Sequence, residues 1–207
     1  MNLVRLQMVR KKLFLFSSRK YSDVMDATLT QSSQLKEIVM RMVAKSYEIE
    51  QLYEPFLGST DYILKFNKYK STKADEPRLG LFPHTETILH QKEQGKGLEI
   101  KTKDQKWVEV DLSPSSFVFM AGDVCTAWTN GRMEVPVHWV MMEGKKDRFS
   151  MVVSLYIRDL EIQAPQEPVD GNHPVQYKPF EHYKYIDFHT YQNSRKLRNP
   201  LEHYCGV

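Results

Sequence analysis

Cysteine is scarce, with Cys125 and Cys205 the only two in 207 residues. Two cysteines cannot make a disulfide framework, and they form no metal-binding pair. A reducing compartment fits, and a cytoplasmic location is expected. Long apolar runs are also lacking. Stretches such as Phe117 to Ala121 and Met151 to Leu155 are far shorter than the roughly 20 residues a bilayer-spanning helix needs. No membrane association is therefore expected. Net charge is small, formally +3. Nucleic acid is not expected as a partner, because phosphate binders concentrate basic residues on one face. Internal repeats and low-complexity segments are absent from the sequence. Acids are missing from the amino terminus until Asp23, while Arg5, Arg10, Lys11, Lys12, Arg19 and Lys20 occur before it. That pattern suits a transit peptide, a basic solvated helix face or an improvised start on a truncated chain.

What is present suits a globular protein of about one domain, with an appended helical part. The hydrophobic share is 41% and the charged share 27%, which argues against global disorder. Residues 1–30 show no clean period. From Leu35 onward, Leu35, Ile38, Val39, Met42, Val43, Tyr47 and Leu52 recur at helical spacing between charged residues. The spacing predicts an amphipathic helix, capped by Ser32 or Ser33 and stopped by Pro55.

Strand signals follow. Tyr62 to Phe66 is β-prone. Leu98 to Thr102 and Trp107 to Val110 alternate on either side of a turn at Lys103-Asp104-Gln105. Phe117 to Met120 reads as a buried run ended by Gly122-Asp123, and Asn130-Gly131 as a tight turn. Val135 to Met142 and Arg148 to Ile157 are further strands. Many short strands at such spacing predict an antiparallel sandwich or barrel. The tail is broken by Pro165, Pro168, Pro174 and Pro179. A Tyr- and Phe-rich helix is then expected over about Phe180 to Leu197.

Four features carry chemistry. His84 and Glu86 are two positions apart, so in an extended segment they aim an imidazole and a carboxylate to the same side. His138 lies on a later strand. Two His and one carboxylate are the donor set of a non-haem Fe(II) facial triad. Arg148 and Ser150 also share a face and suit a carboxylate. Asn67 and Tyr69 share a face and can reach the same ligand. Each type has a structural reading too, since a lone His is more often packed than ligating and an Arg more often decorates a surface. His90, His173, His182, His189 and His203 read as packing or surface residues, and Asp123 and Asn130 as turn residues.

The ordered set of motifs resembles the plant Fe(II)/2-oxoglutarate-dependent dioxygenases. It comprises Lys65 to Tyr69, Leu79-Gly80-Leu81 with His84-Thr85, Thr87-Ile88-Leu89-His90-Gln91, Gly97 to Trp107, Ala127 to Arg132, Val137-His138-Trp139-Val140 and Arg148-Phe149-Ser150. The tail, through Lys178-Pro179-Phe180 to Tyr204-Cys205-Gly206-Val207, is similar to the branch of gibberellin-oxidase-like and glucosinolate alkenyl-forming enzymes. The resemblance runs from about residue 23 to the end.

It implies a mainly β fold, a double-stranded β-helix (jelly roll) with flanking α-helices. It implies Fe(II) on His84, Glu86 and His138. It implies 2-oxoglutarate on Arg148, Ser150, Tyr69 and Asn67, with O2 as co-substrate and ascorbate as a candidate reductant. The expected organisation is a partial helical amino-terminal region over 1–56, the oxygenase jelly roll over 57–160 and a helical tail over 161–207 packing on it. The expected activity is hydroxylation or desaturation of a small plant metabolite by a monomer, with decarboxylation of 2-oxoglutarate to succinate.

The chain departs from the family's pattern at three places. Glu86 stands where the family has Asp, and fewer residues separate it from the Thr87 to Gln91 strand. Trp139 stands where the family usually has Arg. Family members also carry a further amino-terminal part. These departures support an alternative, a non-catalytic truncated paralogue that keeps the jelly roll as a binding or vestigial module. A hydrolytic zinc site is a third reading, and Arg148 with Ser150 argues against it.

Overall fold

The computed structural model describes residues 3–9, 19–71, 78–84, 88–91, 97–113, 116–142, 146–164, 171–172, 174–191, 197 and 199–207. Within these, the side chains of 3–9, 19–22, 51–52, 78, 81–84, 88–91 and 190–191 are not described. In chain order the elements are β1 (Leu3–Val9), α1 (Arg19–Ser46), α2 (Glu50–Gly58), β2 (Thr60–Tyr69), β3 (Arg78–His84), β4 (Ile88–Gln91), β5 (Leu98–Lys101) and β6 (Trp107–Glu109). They continue with β7 (Phe117–Phe119), α3 (Asp123–Trp128), β8 (His138–Met142), β9 (Arg148–Ile157), β10 (Glu161–Ile162), β11 (Phe180–Glu181), α4 (His182–Tyr191) and α5 (Pro200–Cys205). The strands form a five-stranded sheet in the order β1-β2-β9-β4-β7, a four-stranded sheet β3-β8-β5-β6 and the pair β10-β11.

Two compact units can be distinguished. One comprises Met1–Ser17, Ile63–Met120 and Pro136–Ser154. Its strands alternate apolar inward positions, and their side chains meet in two clusters. Tyr69 packs with Val140 and Met142. Leu98, Leu112, Met120 and Val152 pack together, flanked by Ile100, Val110 and Val118. Each cluster joins a residue of the five-stranded sheet to residues of the four-stranded sheet, so the two sheets face one another across an apolar layer. The expected hairpin is present, with Gln105 at φ 67 in its turn and β5 paired to β6. Phe117, expected to be buried, is 44% exposed, because β7 is an edge strand.

The other unit comprises Ser18–Tyr62, Ala121–Val135 and Leu155–Val207. Here the single helix expected from Leu35 to Pro55 is two helices. α1 begins at Arg19, well before Ser32 and Ser33, and ends in a reversal. Ile49 N–H donates to Ala44 O at 3.0 Å and Glu48 N–H to Lys45 O at 3.1 Å, with Glu48 at φ 58. This pair of bonds is the Schellman closure, with glutamate in the left-handed position glycine usually fills. Pro55 does not stop α2. It removes one N–H from a short helix that tertiary packing holds, with the Phe56 ring 4.8 Å and the Tyr53 ring 5.8 Å from that of Trp128.

The buried face of α1 also differs from the expected one. Leu29, Ser32, Lys36, Met40 and Ala44 are buried, while Ile38 and Met42 are exposed. Apolar type alone misplaced the stripe, because Lys36 is buried whole, with its Nζ 5.8 Å from the Tyr62 ring centre.

The core of this unit gathers Val124, Ala127, Ile157, Ile162, Tyr177, Phe180, Tyr185, Leu201 and Cys205. The helix expected to reach Leu197 is α4, and a second helix, α5, follows. Asn199 caps α5 by accepting from Glu202 N–H at 3.2 Å, and Pro200 opens it. Asp123 and Asn130 make structural contacts; Asn130 lies in the expected turn at φ 51, whereas Asp123, expected in a turn, opens helix α3. Tyr185 OH donates to Asp123 at 2.6 Å, and Asn130 accepts from Gln176 N–H at 2.9 Å and donates to Pro174 O at 3.0 Å.

Candidate functional site

All the described candidate side chains belong to the first unit. β3 carries His84 and β8 carries His138, and the two are direct cross-strand partners. That pairing depends on irregular register. Arg78 pairs with Met142 and Leu79 with Met141, but Leu81 pairs with Val140 and His84 with His138. Each shift inserts one extra residue into β3. An unbroken ladder from Arg78↔Met142 would have put residue 82 opposite His138, so two bulges deliver His84 there instead. A single bulge would have offered residue 83 and reversed the face, whereas two restore it.

His138 is fully buried, and its Nδ1 faces Pro136 O at 3.3 Å. With the proton on Nδ1, Nε2 holds the lone pair, which is the form a metal ligand needs. The His84 side chain lies outside the described ones, and Glu86 lies outside the described residues altogether. Among the described residues no cluster of three His, Cys, Asp or Glu side chains occurs. A three-ligand site in this chain must therefore draw on others, and His84 and Glu86 are two of these.

The second half of the site lies where β2 and β9 run side by side. Arg148, Ser150 and Val152 are buried on one face of β9, while Phe149 between them is exposed. Asn67 and Tyr69 are almost fully buried on β2. Asn67 Nδ2 lies 3.4 Å from Ser150 Oγ, a long hydrogen bond. The Arg148 guanidinium sits over the Tyr69 ring, 5.1 Å from its centre. Burial lowers the proton affinity of Arg148, and Tyr69 works in the opposite direction. Arg148 still remains a cation.

The outer face fixes the register of these two strands. Asp147 accepts from Ser71 N–H at 2.8 Å and pairs with Lys68 Nζ at 2.9 Å, and Lys68 Nζ lies 5.5 Å from the Phe149 ring centre. The Ser71 N–H and Lys68 together hold the Asp147 carboxyl below its usual range.

Residues 60–155 match the family described as the 2OG-Fe(II) oxygenase superfamily. The chain is 38% identical over 188 residues to the probable 2-oxoglutarate-dependent dioxygenase AOP1.2 of Arabidopsis thaliana, covering 84% of this chain and 58% of that protein. Residues 60–155 form a domain of this oxygenase superfamily. It is also 39% identical over 139 residues to the probable inactive dioxygenase AOP2 of the same plant, covering 64% of this chain and 35% of that one. Among solved structures, the crystal structure of JOX2 in complex with 2OG, Fe and JA shares the fold, with a TM-score of 0.80 at 24% identity over 90% of this chain and 59% of that one. The chain thus spans between about a third and three fifths of the length of these relatives.

Within the oxygenase region two glycines shape the site that the motif reading treated only as parts of a pattern. Gly97, at φ +120, accepts from Met141 N–H at 2.7 Å and allows β8 to approach closely, and a Cβ there would also lie 4.0 Å from Arg148 Nε. A Cβ on Gly80 would lie 2.7 Å from Met142 Cγ and 3.2 Å from Tyr69 Cδ1. Part of the signal was in the sequence, since Gly80 stands between Leu79 and Leu81 and Gly97 directly before the strand pattern at Leu98, positions where glycine marks a turn or close backbone approach. The Trp139 position, where the oxygenase family usually has Arg, turns away from His138. Trp139 stacks on Trp107 at 3.7 Å between ring centres and donates to Glu99 at 2.7 Å.

Proposed function

We propose that the chain is an Fe(II)/2-oxoglutarate-dependent oxygenase acting on a small plant metabolite, by hydroxylation or desaturation. The observation that carries this reading is the buried Arg148 guanidinium over Tyr69, with Ser150 two residues along and Asn67 beside it. A buried cation with neutral hydroxyl and amide neighbours suits a carboxylate. The fork of Arg148 would take the distal carboxylate of 2-oxoglutarate in two parallel hydrogen bonds, and Ser150 and Tyr69 would add hydroxyl donors. Binding would also offset the cost of keeping that cation out of water.

Iron would be held by His84, Glu86 and His138. The donor set fits: His138 is buried with Nδ1 directed at a carbonyl, His84 is its cross-strand partner, and Glu86 follows two positions later. When bound, the iron supplies the oxidation chemistry with O2, coupled to decarboxylation of 2-oxoglutarate to succinate. The protein's own part is to seat the dicarboxylate against Arg148, hold the His138 ring in one tautomer and close the apolar layer behind them. Ascorbate would serve as reductant.

The two facing sheets support a jelly roll over 57–160, with a partly helical region over 1–56, whose strand β1 joins the five-stranded sheet, and a helical region over 161–207. We read the protein as a cytoplasmic monomer whose partners are its substrate and O2. A second reading, a binding module that has lost turnover, is favoured by one observation: Glu86 stands in the carboxylate position with a side chain one methylene longer than Asp.

Anaerobic addition of Fe(II) and then 2-oxoglutarate tests both. A visible charge-transfer band that is abolished in His84→Ala and weakened in Arg148→Ala is the expected result. Absence of the band in folded protein would overturn the oxygenase reading. Its appearance only in Glu86→Asp would favour the module that has lost turnover.

A further inference from the structure

Gly80 lies in β3, four residues before His84, at the first of the two bulges that bring His84 opposite His138. Its φ is not among the positive ones, so no left-handed conformation demands glycine there. The demand is for space. An added Cβ would come within 2.7 Å of Met142 Cγ, 3.2 Å of Tyr69 Cδ1 and 3.3 Å of Val140 O. A contact of 2.7 Å forces something to move. Val140 O belongs to the β8 backbone and is the least free to do so. Met142 and Tyr69 are buried at 5% and 2% exposure and pack against each other with Val140, so pushing either one presses on the other. The Tyr69 ring in turn carries the Arg148 guanidinium on its face.

We propose that Gly80 is a positioning residue for the dicarboxylate seat, acting through Met142 and Tyr69 on Arg148 from within the strand that carries His84. The bulge is a feature of the β3 backbone and the gap a feature of the missing side chain, so one residue serves both halves of the site by separate means. This rests on the oxygenase reading, since it takes Arg148 and Tyr69 to be the seat. A methyl group at position 80 leaves the bulge backbone permissible, so the metal half persists while the seat is displaced.

The test uses the full chain under anaerobic conditions. Co(II) absorbance reports the metal half, and the Fe(II)/2-oxoglutarate charge-transfer titration reports the seat. Gly80→Ala is expected to raise the 2-oxoglutarate Kd about tenfold, less than the hundredfold a misplacement near 1 Å can cost, with Co(II) affinity unchanged. Gly80→Ala combined with Met142→Ala removes the closest contact and is expected to restore most of the lost affinity, which a role in stability alone would not explain.

Unchanged 2-oxoglutarate affinity in Gly80→Ala, or no recovery in the double variant, would overturn the proposal and leave the oxygenase reading intact. If Gly80→Ala fails to fold, the double variant must recover both folding and binding, and its failure to do so counts against the proposal. If the parent chain binds neither Co(II) nor 2-oxoglutarate, the oxygenase reading fails first and the proposal with it.

Discussion

Arg148 concentrates the chemistry of one strand face. Its guanidinium is buried, lies over an aromatic ring and has Ser150 two residues along, so its value lies in planar, two-point recognition of a carboxylate. Lysine would keep the charge and lose the fork. Arg148→Lys is therefore expected to weaken 2-oxoglutarate binding by about tenfold to a hundredfold, the range set by one or two charge-assisted hydrogen bonds. Anaerobic titration of the charge-transfer band measures it, and an unchanged midpoint would show that the cation alone suffices. The candidate residues were legible in sequence because i and i+2 spacing on a strand is a chemical statement: Asn67 with Tyr69 and Arg148 with Ser150 share faces as read. What could not be read was the route between them. The proximity of Gly80 to Tyr69, and of Gly97 to Arg148, is a property of segments distant in sequence, visible only once β2, β3, β5 and β9 are assembled.

Elements were legible where local pattern decides them and not where pairing or packing does. β9 spans Arg148–Ile157 as read, and the β5–β6 hairpin turns at Lys103 to Gln105. The two shifts in β3 were not legible, since a bulge is a relation between strands. α3 was hidden because six residues, Asp123–Trp128, follow a strand too closely to show a helical period. The amino-terminal part of α1 was hidden because Thr28, Thr30, Gln31, Ser32 and Ser33 blur its apolar period. The end of α1 yields a prediction. Glu48 sits at φ 58 in the closure of that helix, a conformation that costs a residue with a Cβ about 1 kcal/mol or more. Glu48→Gly is expected to stabilise the chain by about 1 kcal/mol in urea unfolding, with no change in 2-oxoglutarate affinity. Destabilisation would mean that the Glu48 side chain contributes more than its backbone strain costs.

For the whole molecule, stability should depend on acidity through His182. Burial, reinforced by the Lys36 cation, depresses its pKa from 6.5 to about 4, and its Nδ1 accepts from Ile157 N–H at 3.0 Å. The unfolded chain takes up this proton near the ordinary histidine value and the folded chain only well below it. The unfolded state therefore binds more protons throughout that interval. The stabilisation is complete above about pH 6.5 and lost progressively toward pH 4, up to about 3 kcal/mol. In His182→Asn, which keeps an acceptor for Ile157 N–H and does not titrate, the slope of unfolding free energy against pH should flatten over that window. A slope as steep as the parent's would assign the acid sensitivity to other groups.

The three tryptophans divide between the two units. Trp107 and Trp139 stack nearly parallel, 5° apart, in the unit that holds His138, while Trp128 is buried in the other. Two indoles stacked at 3.7 Å couple their electronic transitions, so the near-ultraviolet circular dichroism of the pair changes when β6 and β8 separate. Trp128, buried beside Phe56 and Tyr53, has the dry surroundings that shift indole emission to the blue. The chain thus carries a distinct optical reporter in each unit. Following both signals through one denaturant titration reveals whether the units melt together.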